Sequence, residues 1–418
     1  MNDLNNKIKK VERRLGFYFS DDLLDADLPN FSLEVNVDNL PDATLIAGDN
    51  LHSLKVLASN AKETVDACYI DPPYNTGSKF LYHDNRKSDA SDIFGQHSAW
   101  MTFMIPRLVA AREIIKQTGV IAISIDDYEF AYLKILMDVI FGEDNFIGNI
   151  VVCRSKNGKG SNKNIASTHE YLMIYGKSSL AKLNGQLDDV SVYDKVDKHG
   201  EYKVDGLFRK KGEASLRLDR PNMFYPLFFN SSTGEVFVEP GVELQQVFPI
   251  DSKGVERRWL WSKETARERS WQLYASKKGV VYVKNYSSPN KRKKVRTFWD
   301  NTEFYTERAT NEITKLFGDK IFDTPKPMKY IMAILDMLAK PDAIIMDFFA
   351  GSATTAHAAA VLNTNDKGTR KTILMENNSP IPISHVARKH GCNVISDISI
   401  ARLEKINLEF PEFTFQVY

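Results

Sequence analysis

The tetrapeptide Asp71-Pro72-Pro73-Tyr74 is the part of the chain whose residue types most directly suggest chemistry. It follows Val65–Ile70, a short apolar run typical of a buried strand, and ligands of open α/β sheets bind just beyond such strand ends. Proline carries no backbone N–H, so this turn offers hydrogen-bond acceptors and almost no donors. The Asp71 carboxylate and the Pro72 carbonyl could draw the hydrogens of an exocyclic amino group out of its ring plane, while Tyr74 stacks on the ring. The alternative is a strand-end turn with an incidental Asp and Tyr.

A second chemical element is the segment 347–355, which reads Asp-Phe-Phe-Ala-Gly-Ser-Ala-Thr-Thr. It predicts a strand, a turn of small residues and the start of a helix, and such a turn lets the backbone approach a ligand closely. Glu376 ends the next predicted strand, where an acidic residue commonly holds a ribose diol. The turn lacks the Gly-Lys-Ser/Thr of a phosphate loop, so the carboxylates favour a cationic, phosphate-free cofactor such as S-adenosylmethionine. The alternative is a small-residue turn that serves packing alone.

The composition of the whole chain limits the class of protein. With 418 residues, 43% hydrophobic and 26% charged, it predicts a soluble globular protein with two or more lobes. The formal net charge of +1 means that affinity for nucleic acid must come from local basic patches. Three scattered cysteines argue against a disulfide framework and a metal site, and they suit the cytoplasm of a bacterial-type cell. The polar start and the lack of an apolar run of about 20 residues predict neither a secretory signal nor a membrane span.

Strand-like apolar runs alternate with helical patterns, which predicts a parallel sheet covered by helices on both faces. The predicted strands lie near 44–49, 65–70, 119–125, 146–152, 169–175, 342–349 and 371–376, and the predicted helices near 50–58, 100–115, 128–141, 354–362 and 399–406. Residues 180–300 lack this alternation, which indicates a separate α/β insert. We therefore predict an N-terminal segment at 1–40, a catalytic half of the core at 41–178, an insert at 179–304 and a cofactor-binding half at 305–418.

Several ordered blocks make the chain similar to a known family. The Asp-Pro-Pro-Tyr-Asn-Thr-Gly block at 71–77 precedes the Phe-Ala-Gly block at 349–351, and this order resembles that of the β-class amino-methyltransferases of DNA. Within that class the chain most resembles the modification subunits of type III restriction–modification systems and related adenine methyltransferases. The other matching blocks are Leu-Ile-Ala-Gly-Asp-Asn-Leu at 45–51, Ile-Ser-Ile-Asp-Asp at 123–127, His-Glu-Tyr at 169–171, Arg-Leu-Asp-Arg-Pro-Asn at 217–222, Arg-Trp-Leu-Trp-Ser-Lys at 258–263 and Phe-Asp-Thr-Pro-Lys-Pro at 322–327.

The resemblance implies a Rossmann-like sheet of seven strands with a circularly permuted motif order and an inserted target-recognition domain. It also implies S-adenosylmethionine as the cofactor, held from one side by Asp347, Phe349, Gly351, Ser352 and Glu376 and from the other by Asp49, Asn50, Thr324 and Lys326. The chain departs from the family at Ala353, where a second glycine is more common, and it is shorter than the type III subunits. The resemblance leaves a homodimer and a restriction subunit open as partners, and the shorter length weighs against the restriction subunit.

The resemblance implies site-specific transfer of a methyl group to N6 of an adenine flipped out of double-stranded DNA, with Asp71, Pro72, Pro73 and Tyr74 at the target base. N4 of cytosine is the first alternative, because the two amines are chemically similar. RNA or a glutamine amide as the substrate, and an idle subunit that only binds DNA, are further alternatives. No cysteine near the motif suggests a covalent ring intermediate, so methylation of cytosine carbon 5 is disfavoured.

Basic side chains outside the two motifs are candidates for contact with DNA phosphates. A run at 284–296 contains several Lys and Arg and no acid, and a glycine-rich basic loop spans 154–163. We expect DNA contacts from Asn75, Lys156, Lys159, Arg217, Lys291, Arg292 and Lys293, and target recognition from the insert. The alternative for each basic run is a solvated surface loop.

Overall fold

A mixed sheet is the centre of the first of two compact units. The computed structural model describes residues 35–75, 95–158, 164–187, 192–288 and 291–418. One unit comprises the described residues up to Gln186 together with Lys294–Tyr418, and the other is Leu187–Lys293. The sheet strands are β1 (Ala43–Ala47), β2 (Val65–Ile70), β3 (Ile115–Ile125), β4 (Phe146–Cys153), β5 (His169–Gly176), β6 (Phe298–Trp299), β7 (Ile344–Asp347), β8 (Lys371–Glu376) and β9 (Phe415–Val417).

The strand order in this sheet is β6-β4-β5-β3-β2-β7-β8-β1-β9. All neighbouring strands run parallel except β5, which is antiparallel to both β3 and β4. The prediction of a wholly parallel sheet is therefore wrong for this one strand. Parallel neighbours need a long crossover, usually a helix, and the described residues between β4 and β5 form none. The sheet also has nine strands among the described residues where the resemblance implied seven, because the short β6 and β9 extend its two edges.

Helices cover both faces of the sheet, as the sequence predicts. They are α1 (Asn50–Asn60), α2 (Gly95–Ile114), α3 (Phe130–Met137), α4 (Thr306–Phe317), α5 (Met328–Leu338), α6 (Thr354–Asp366) and α7 (Ile395–Glu409). A π-helical turn follows α3 at Asp138–Gly142, and short 3-10 turns lie at Val37–Asn39, Glu143–Asn145, Thr302–Phe304 and Val386–His390. Among the described residues, no helix has the length and apolar character needed to cross a bilayer.

The alternation of side chains along β2 shows how the two helical layers are held. Cys68 and Ile70 point to one face and join the core beneath α1, α2 and α3, whereas Ala67 and Tyr69 point to the other and join the core beneath α5 and α6. Because successive strand residues face opposite sides, a strand buried on both faces must be apolar throughout. This is why the strand before Asp71 is readable from sequence as a mostly apolar run, interrupted only by Asp66, which forms an ion pair with Lys116.

The second unit, Leu187–Lys293, is richer in strands than the α/β insert predicted for this region. It contains a four-stranded antiparallel sheet and a three-stranded one, with a core around Phe208 and Trp259. The strands of the four-stranded sheet are Lys195–Asp197, Gly200–Leu207, Leu273–Ala275 and Val281–Tyr286. Those of the three-stranded sheet are Leu227–Phe229, Val236–Phe237 and Gln245–Val247. The described residues of this unit also form an α-helix at Lys263–Glu268 and 3-10 turns at Arg217–Asp219, Pro221–Met223 and Ser270–Gln272. The unit is shorter than the predicted 179–304, since Phe298–Trp299 pairs with β4 in the large sheet.

Candidate active site

Four neighbouring parallel strands, in the order β2-β7-β8-β1, end at the same edge of the large sheet. Their carboxyl ends carry Asp71, Asp347, Glu376 and Asp49, which lie far apart in the sequence. Parallel pairing in this order therefore brings the two motifs together. A cavity of about 290 Å³ opens at this edge. All the predicted cofactor-binding residues line it, together with two predicted catalytic residues: Asp49, Asn50, Thr324, Lys326, Asp347, Phe349, Gly351, Ser352, Glu376, Asp71 and Pro73.

The buried Asp347 carboxylate shapes the turn that follows β7. One oxygen accepts a hydrogen bond from the Phe349 backbone N–H (3.1 Å) and the other from the Thr355 hydroxyl (2.5 Å). Burial raises the pKa of Asp347 to about 7, although both hydrogen bonds act to lower it. Gly351 (φ 55°) and Ala353 (φ 58°) lie in the left-handed region, where glycine is unstrained and alanine is not. Ala353, which stands where the family more often has a second glycine, therefore has a positive φ that glycine would adopt without strain.

The Glu376 carboxylate at the end of β8 closes the same turn from the neighbouring strand. Its Oε2 accepts a hydrogen bond from the Gly351 backbone N–H (2.6 Å), and its Oε1 accepts one from the Asn377 backbone N–H (3.0 Å). Burial raises the pKa of Glu376 to about 7, and these two bonds offset part of that rise. Oε1 also accepts a hydrogen bond from Asn377 Nδ2 (2.9 Å), so Oε2, with one of its two lone pairs unused, is the oxygen that can accept a further bond from a ligand that enters the cavity.

The start of α1 forms the opposite wall. Asp49 caps this helix by accepting hydrogen bonds from two backbone N–H groups of its first turn (2.8 and 3.3 Å). Asn50 Nδ2 donates to the Phe348 carbonyl (2.6 Å), and Arg107 Nε donates to Asn50 Oδ1 (2.6 Å). The Arg107 guanidinium also lies 3.7 Å from the ring centroid of Phe103. Sequence reasoning missed Arg107 and Phe103, because a basic and an aromatic residue four positions apart on a helix carry no distinctive signal.

Four polar side chains meet at the corner formed by the Asp-Pro-Pro-Tyr turn. The Tyr74 hydroxyl donates to Asp71 Oδ1 (2.7 Å), and Lys326 Nζ lies 3.1 Å from the same oxygen. Lys326 Nζ also contacts the Tyr74 hydroxyl oxygen (2.7 Å) and Glu170 Oε2 (2.9 Å). Lys326 therefore lines the cavity, where it was predicted to bind the cofactor, but its ammonium group contacts Asp71, Tyr74 and Glu170. We name Asp71, Tyr74, Glu170 and Lys326 the acidic corner.

The charges of the acidic corner perturb one another. Burial raises the pKa of Asp71, Lys326 lowers it, and Glu170 raises it again, with a net rise. Burial by itself would lower the pKa of Lys326, but Asp71 and Glu170 outweigh it, so the pKa rises and the ammonium stays charged. Burial raises the pKa of Tyr74 well above its usual value, so its phenol stays neutral and can donate.

Glu170 reaches this corner because of the direction of β5. It is the second residue of that strand, and the first residues of an antiparallel strand lie at the edge where parallel strands end. From the sequence, Glu170 is only a member of the His-Glu-Tyr block, with no predicted role. Strand direction was the missing information, since the apolar pattern of 169–175 is the same in either orientation.

The remaining predicted site residues occupy varied positions. The Pro73 carbonyl accepts a hydrogen bond from Trp100 Nε1 (2.6 Å), which anchors the turn to α2. Asn75 is buried, with 4% of its surface exposed, and its side chain donates to Glu129 Oε1 (2.6 Å). The Asn75 side chain is therefore held inside the protein, and its contact with DNA stays a prediction. Pro72 follows Asp71 in the turn, next to the cavity lining.

The predicted basic DNA contacts are dispersed, and several have partners within the protein. Lys156 is exposed, while Lys159 lies outside the described residues. Arg217 forms an ion pair with Glu256 (2.9 Å), and Lys291 Nζ donates to the Tyr286 carbonyl (3.0 Å). Arg292 and Lys293 form a short strand, with Arg292 exposed and Lys293 half-buried. None of these positions by itself identifies a DNA-binding surface.

The sheet and its site define a Rossmann-like methyltransferase in which the Asp-Pro-Pro-Tyr motif precedes the Phe-Ala-Gly motif. Residues 65–379 match the family described as DNA methylase, and the chain belongs to that family. It is 64% identical over 416 residues to the type II methyltransferase M.KpnI of Klebsiella pneumoniae, a match that covers 100% of this chain and 99% of that relative. The family predicted from the sequence is confirmed, and the chain is a DNA methyltransferase with S-adenosylmethionine as its methyl donor.

Type III modification subunits are also among its relatives. The chain is 33% identical over 402 residues to the EcoPI Mod subunit of Escherichia phage P1, covering 87% of this chain and 62% of that subunit. It is 34% identical over 390 residues to the StyLTI Mod subunit of Salmonella typhimurium, covering 86% of this chain and 56% of that subunit. The predicted resemblance to Mod subunits is confirmed, and the chain spans less than two thirds of their length.

Proposed function

We propose that this methyltransferase modifies N6 of an adenine that is flipped out of duplex DNA into the acidic corner. One observation carries the proposal. Asp71 Oδ1 is engaged by Tyr74 and Lys326, whereas neither Asp71 Oδ2 nor the Pro72 carbonyl has a hydrogen-bond partner among the described residues. An exocyclic amine has two hydrogens, and these two oxygens supply one acceptor for each.

The cavity beside this corner suits S-adenosylmethionine. Asp347 and Glu376 are buried carboxylates whose pKa values are raised to about 7, so each is poorly stabilised as an anion in the free protein. A cationic ligand would relieve that cost, while a pyrophosphate would add to it. We assign cofactor binding to Asp347, Phe349, Gly351, Ser352 and Glu376 on one wall and to Asp49, Asn50 and Thr324 on the other. S-adenosylmethionine supplies an electrophilic methyl group on a sulfonium, whose electron pair stays on sulfur when the methyl group leaves.

The residues of the corner act mainly by positioning the amine. Asp71 Oδ2 and the Pro72 carbonyl accept the two amine hydrogens and direct the nitrogen lone pair out of the ring plane. Orientation of this kind can supply roughly 7–11 kcal/mol of a barrier. After methylation the nitrogen is cationic, and Asp71 accepts its surplus proton or passes it to water. Tyr74, fixed by its bond to Asp71, presents its ring for stacking against the base.

We favour adenine over cytosine because the chain resembles the type III modification subunits and related adenine methyltransferases. Either amine fits two acceptors, so the identity of the base needs a direct measurement. Duplex DNA methylated by the purified protein is digested to nucleosides, and the methylated nucleoside is identified by mass spectrometry. We expect N6-methyladenine. N4-methylcytosine as the product would refute the assignment of the base, and no methylated nucleoside would refute the activity.

We further propose that Leu187–Lys293 recognises the target sequence. Its four-stranded sheet carries aromatic and basic side chains in contact with one another. Lys195 Nζ in this sheet lies 5.5 Å from the Tyr274 ring centroid, with both residues half-buried, and in the turn before the strand Leu273–Ala275 the partly exposed Trp271 stacks on His199 at 4.3 Å. Such surfaces combine phosphate attraction with base stacking.

Because the match covers 99% of the type II relative, we propose that the chain acts in a bacterial cytoplasm as a methyltransferase without a partner. The alternatives are a homodimer and a complex with a restriction subunit.

Asp71→Asn tests the acceptor role. The amide oxygen can keep the bonds from Tyr74 and Lys326, but the amide nitrogen then presents hydrogens to the amine in place of Oδ2. Losing a charged hydrogen bond costs about 1.5–3 kcal/mol, and two facing donors add to this, so single-turnover methylation should fall at least about 100-fold. Asp66→Asn is the matched control, since Asp66 lies on the same strand and forms an ion pair with Lys116 (2.7 Å) away from the cavity. Full activity of Asp71→Asn with normal cofactor binding would rule out the acceptor role.

A further inference from the structure

We propose that Glu170 is a positioning residue that shares the ammonium group of Lys326 with Asp71 and keeps the acidic corner net negative. Through Lys326, it fixes the carboxylate of Asp71 with Oδ1 engaged and Oδ2 open to the amine. This inference rests on the proposed function. It assigns a role to Glu170, which acts on the carboxylate of Asp71 and does not itself face the substrate.

The geometry shows that Lys326 is shared between two carboxylates. Its Nζ lies 2.9 Å from Glu170 Oε2 and 3.1 Å from Asp71 Oδ1. The Glu170 side chain is 6% exposed and that of Lys326 is 16% exposed, so water competes little for these bonds. Glu170 Oε2 is also 3.4 Å from the Tyr74 hydroxyl, which connects it to the same phenol that binds Asp71. Through Lys326 and Tyr74, Glu170 is thus connected to Oδ1 of Asp71 and not to Oδ2, the atom proposed to bind the amine.

The count of charges explains why a second carboxylate is useful. With Glu170 present, two carboxylates share one ammonium group, so the corner carries one net negative charge. Without Glu170, Lys326 would neutralise Asp71, and the corner would lose its attraction for the cationic amine that methylation produces. Lys326 would also bind Asp71 more tightly and compete with the target amine for it. Both effects slow the transfer without involving the cofactor wall.

Glu170→Gln tests this role because it removes the charge and keeps the size of the side chain. We expect the single-turnover rate at saturating cofactor to fall at least tenfold, while the dissociation constant of S-adenosylmethionine, measured by calorimetry, changes less than threefold. The charge of Glu170 raises the pKa of Asp71, so its removal should move the acid limb of the rate profile to lower pH. Besides the other members of the acidic corner, the ionisable groups facing Asp71 are Tyr69, Tyr330 and Asp347, and none is altered in this variant.

Lys326→Met provides the opposite perturbation and replaces Glu170→Gln should that variant fail to fold. Lys326 lowers the pKa of Asp71, so its loss should move the acid limb to higher pH. A readout independent of turnover is the pKa of Lys326 itself, followed by NMR of ¹⁵N-labelled lysine side chains and assigned by the signal missing in Lys326→Met. Glu170 raises this pKa, so we expect it to fall in Glu170→Gln.

Asp138→Asn is the matched control. Asp138 also binds a lysine and a tyrosine, with Lys134 Nζ at 2.6 Å and the Tyr175 hydroxyl at 2.6 Å, but it does not line the cavity. We expect its rate, pH profile and Lys326 pKa to match those of the unaltered protein. An unchanged rate and pH profile in Glu170→Gln would overturn the inference, as would equal losses of rate and cofactor affinity. Failure of the unaltered protein to methylate DNA would instead refute the proposed function.

Discussion

Glu376 should make the cofactor-free protein less stable as the pH rises from about 5 to 7. Its pKa is about 7 in the folded protein against 4.5 for an ordinary glutamate, and only 8% of its surface is exposed. A carboxyl group with a raised folded pKa stabilises the fold fully below its unfolded pKa, and this contribution is lost as the pH rises through the folded pKa. At about 1.4 kcal/mol per pKa unit, the loss amounts to about 3 kcal/mol.

Glu376→Gln isolates this effect, because the amide has no charge to titrate. The free energy of unfolding in urea is measured for both proteins between pH 4.5 and 7.5, without cofactor. The amide cannot accept bonds from both Gly351 and Asn377, so the variant carries a constant offset, and only the change with pH is informative. We expect the unaltered protein to lose about 3 kcal/mol relative to the variant across this range. Two parallel curves would refute the argument that burial of Glu376 raises its pKa.

Three further predictions concern Arg107, which lines the cavity, and Ala353, which lies in the turn beside it. Arg107→Met should weaken cofactor binding about tenfold in calorimetry, roughly 1.4 kcal/mol, since Asn50 loses the donor that orients it toward the Phe348 carbonyl; an unchanged dissociation constant would contradict this role. Ala353→Gly should change the free energy of unfolding by no more than about 1 kcal/mol, because relief of left-handed strain offsets the lost methyl contacts. Ala353→Val should lower the free energy of unfolding by about 3 kcal/mol or more in the same urea experiment, because a branched side chain there is both strained and overpacked. An unchanged free energy of unfolding would show that the position tolerates both.

The sequence was most informative where local pattern and tertiary role agree. The strand Lys371–Glu376 has the predicted bounds, because its apolar run ends at a single acidic residue, Glu376, which lines the cavity. Asp71 and Glu376 could both be placed at strand ends by pattern, and the order of the strands then brought them to one edge. The cavity lining follows from that convergence.

The features that the sequence did not reveal depend on direction or on contacts between distant elements. The antiparallel orientation of β5 leaves no trace in an apolar run, so the approach of Glu170 to Lys326 could not be foreseen. The helix Met328–Leu338 was not predicted, since its nearly continuous apolar run is compatible with a buried strand as well as with a buried helix. The cofactor role expected of Lys326 stays a prediction, although its ammonium group lies at the catalytic corner.

The position of β1 between β8 and β9 has a consequence for the synthesis of the chain on the ribosome. Both partners of this strand belong to the last part of the chain, and the ion pair between Asp42 and Lys371 joins residues 329 positions apart. Because translation adds roughly 5–20 residues per second, both edges of β1 stay unpaired for on the order of 15–65 s before β8 is synthesised. An apolar strand exposed for that long is a site for aggregation, so the nascent polypeptide should depend on chaperones until its final strands have been translated.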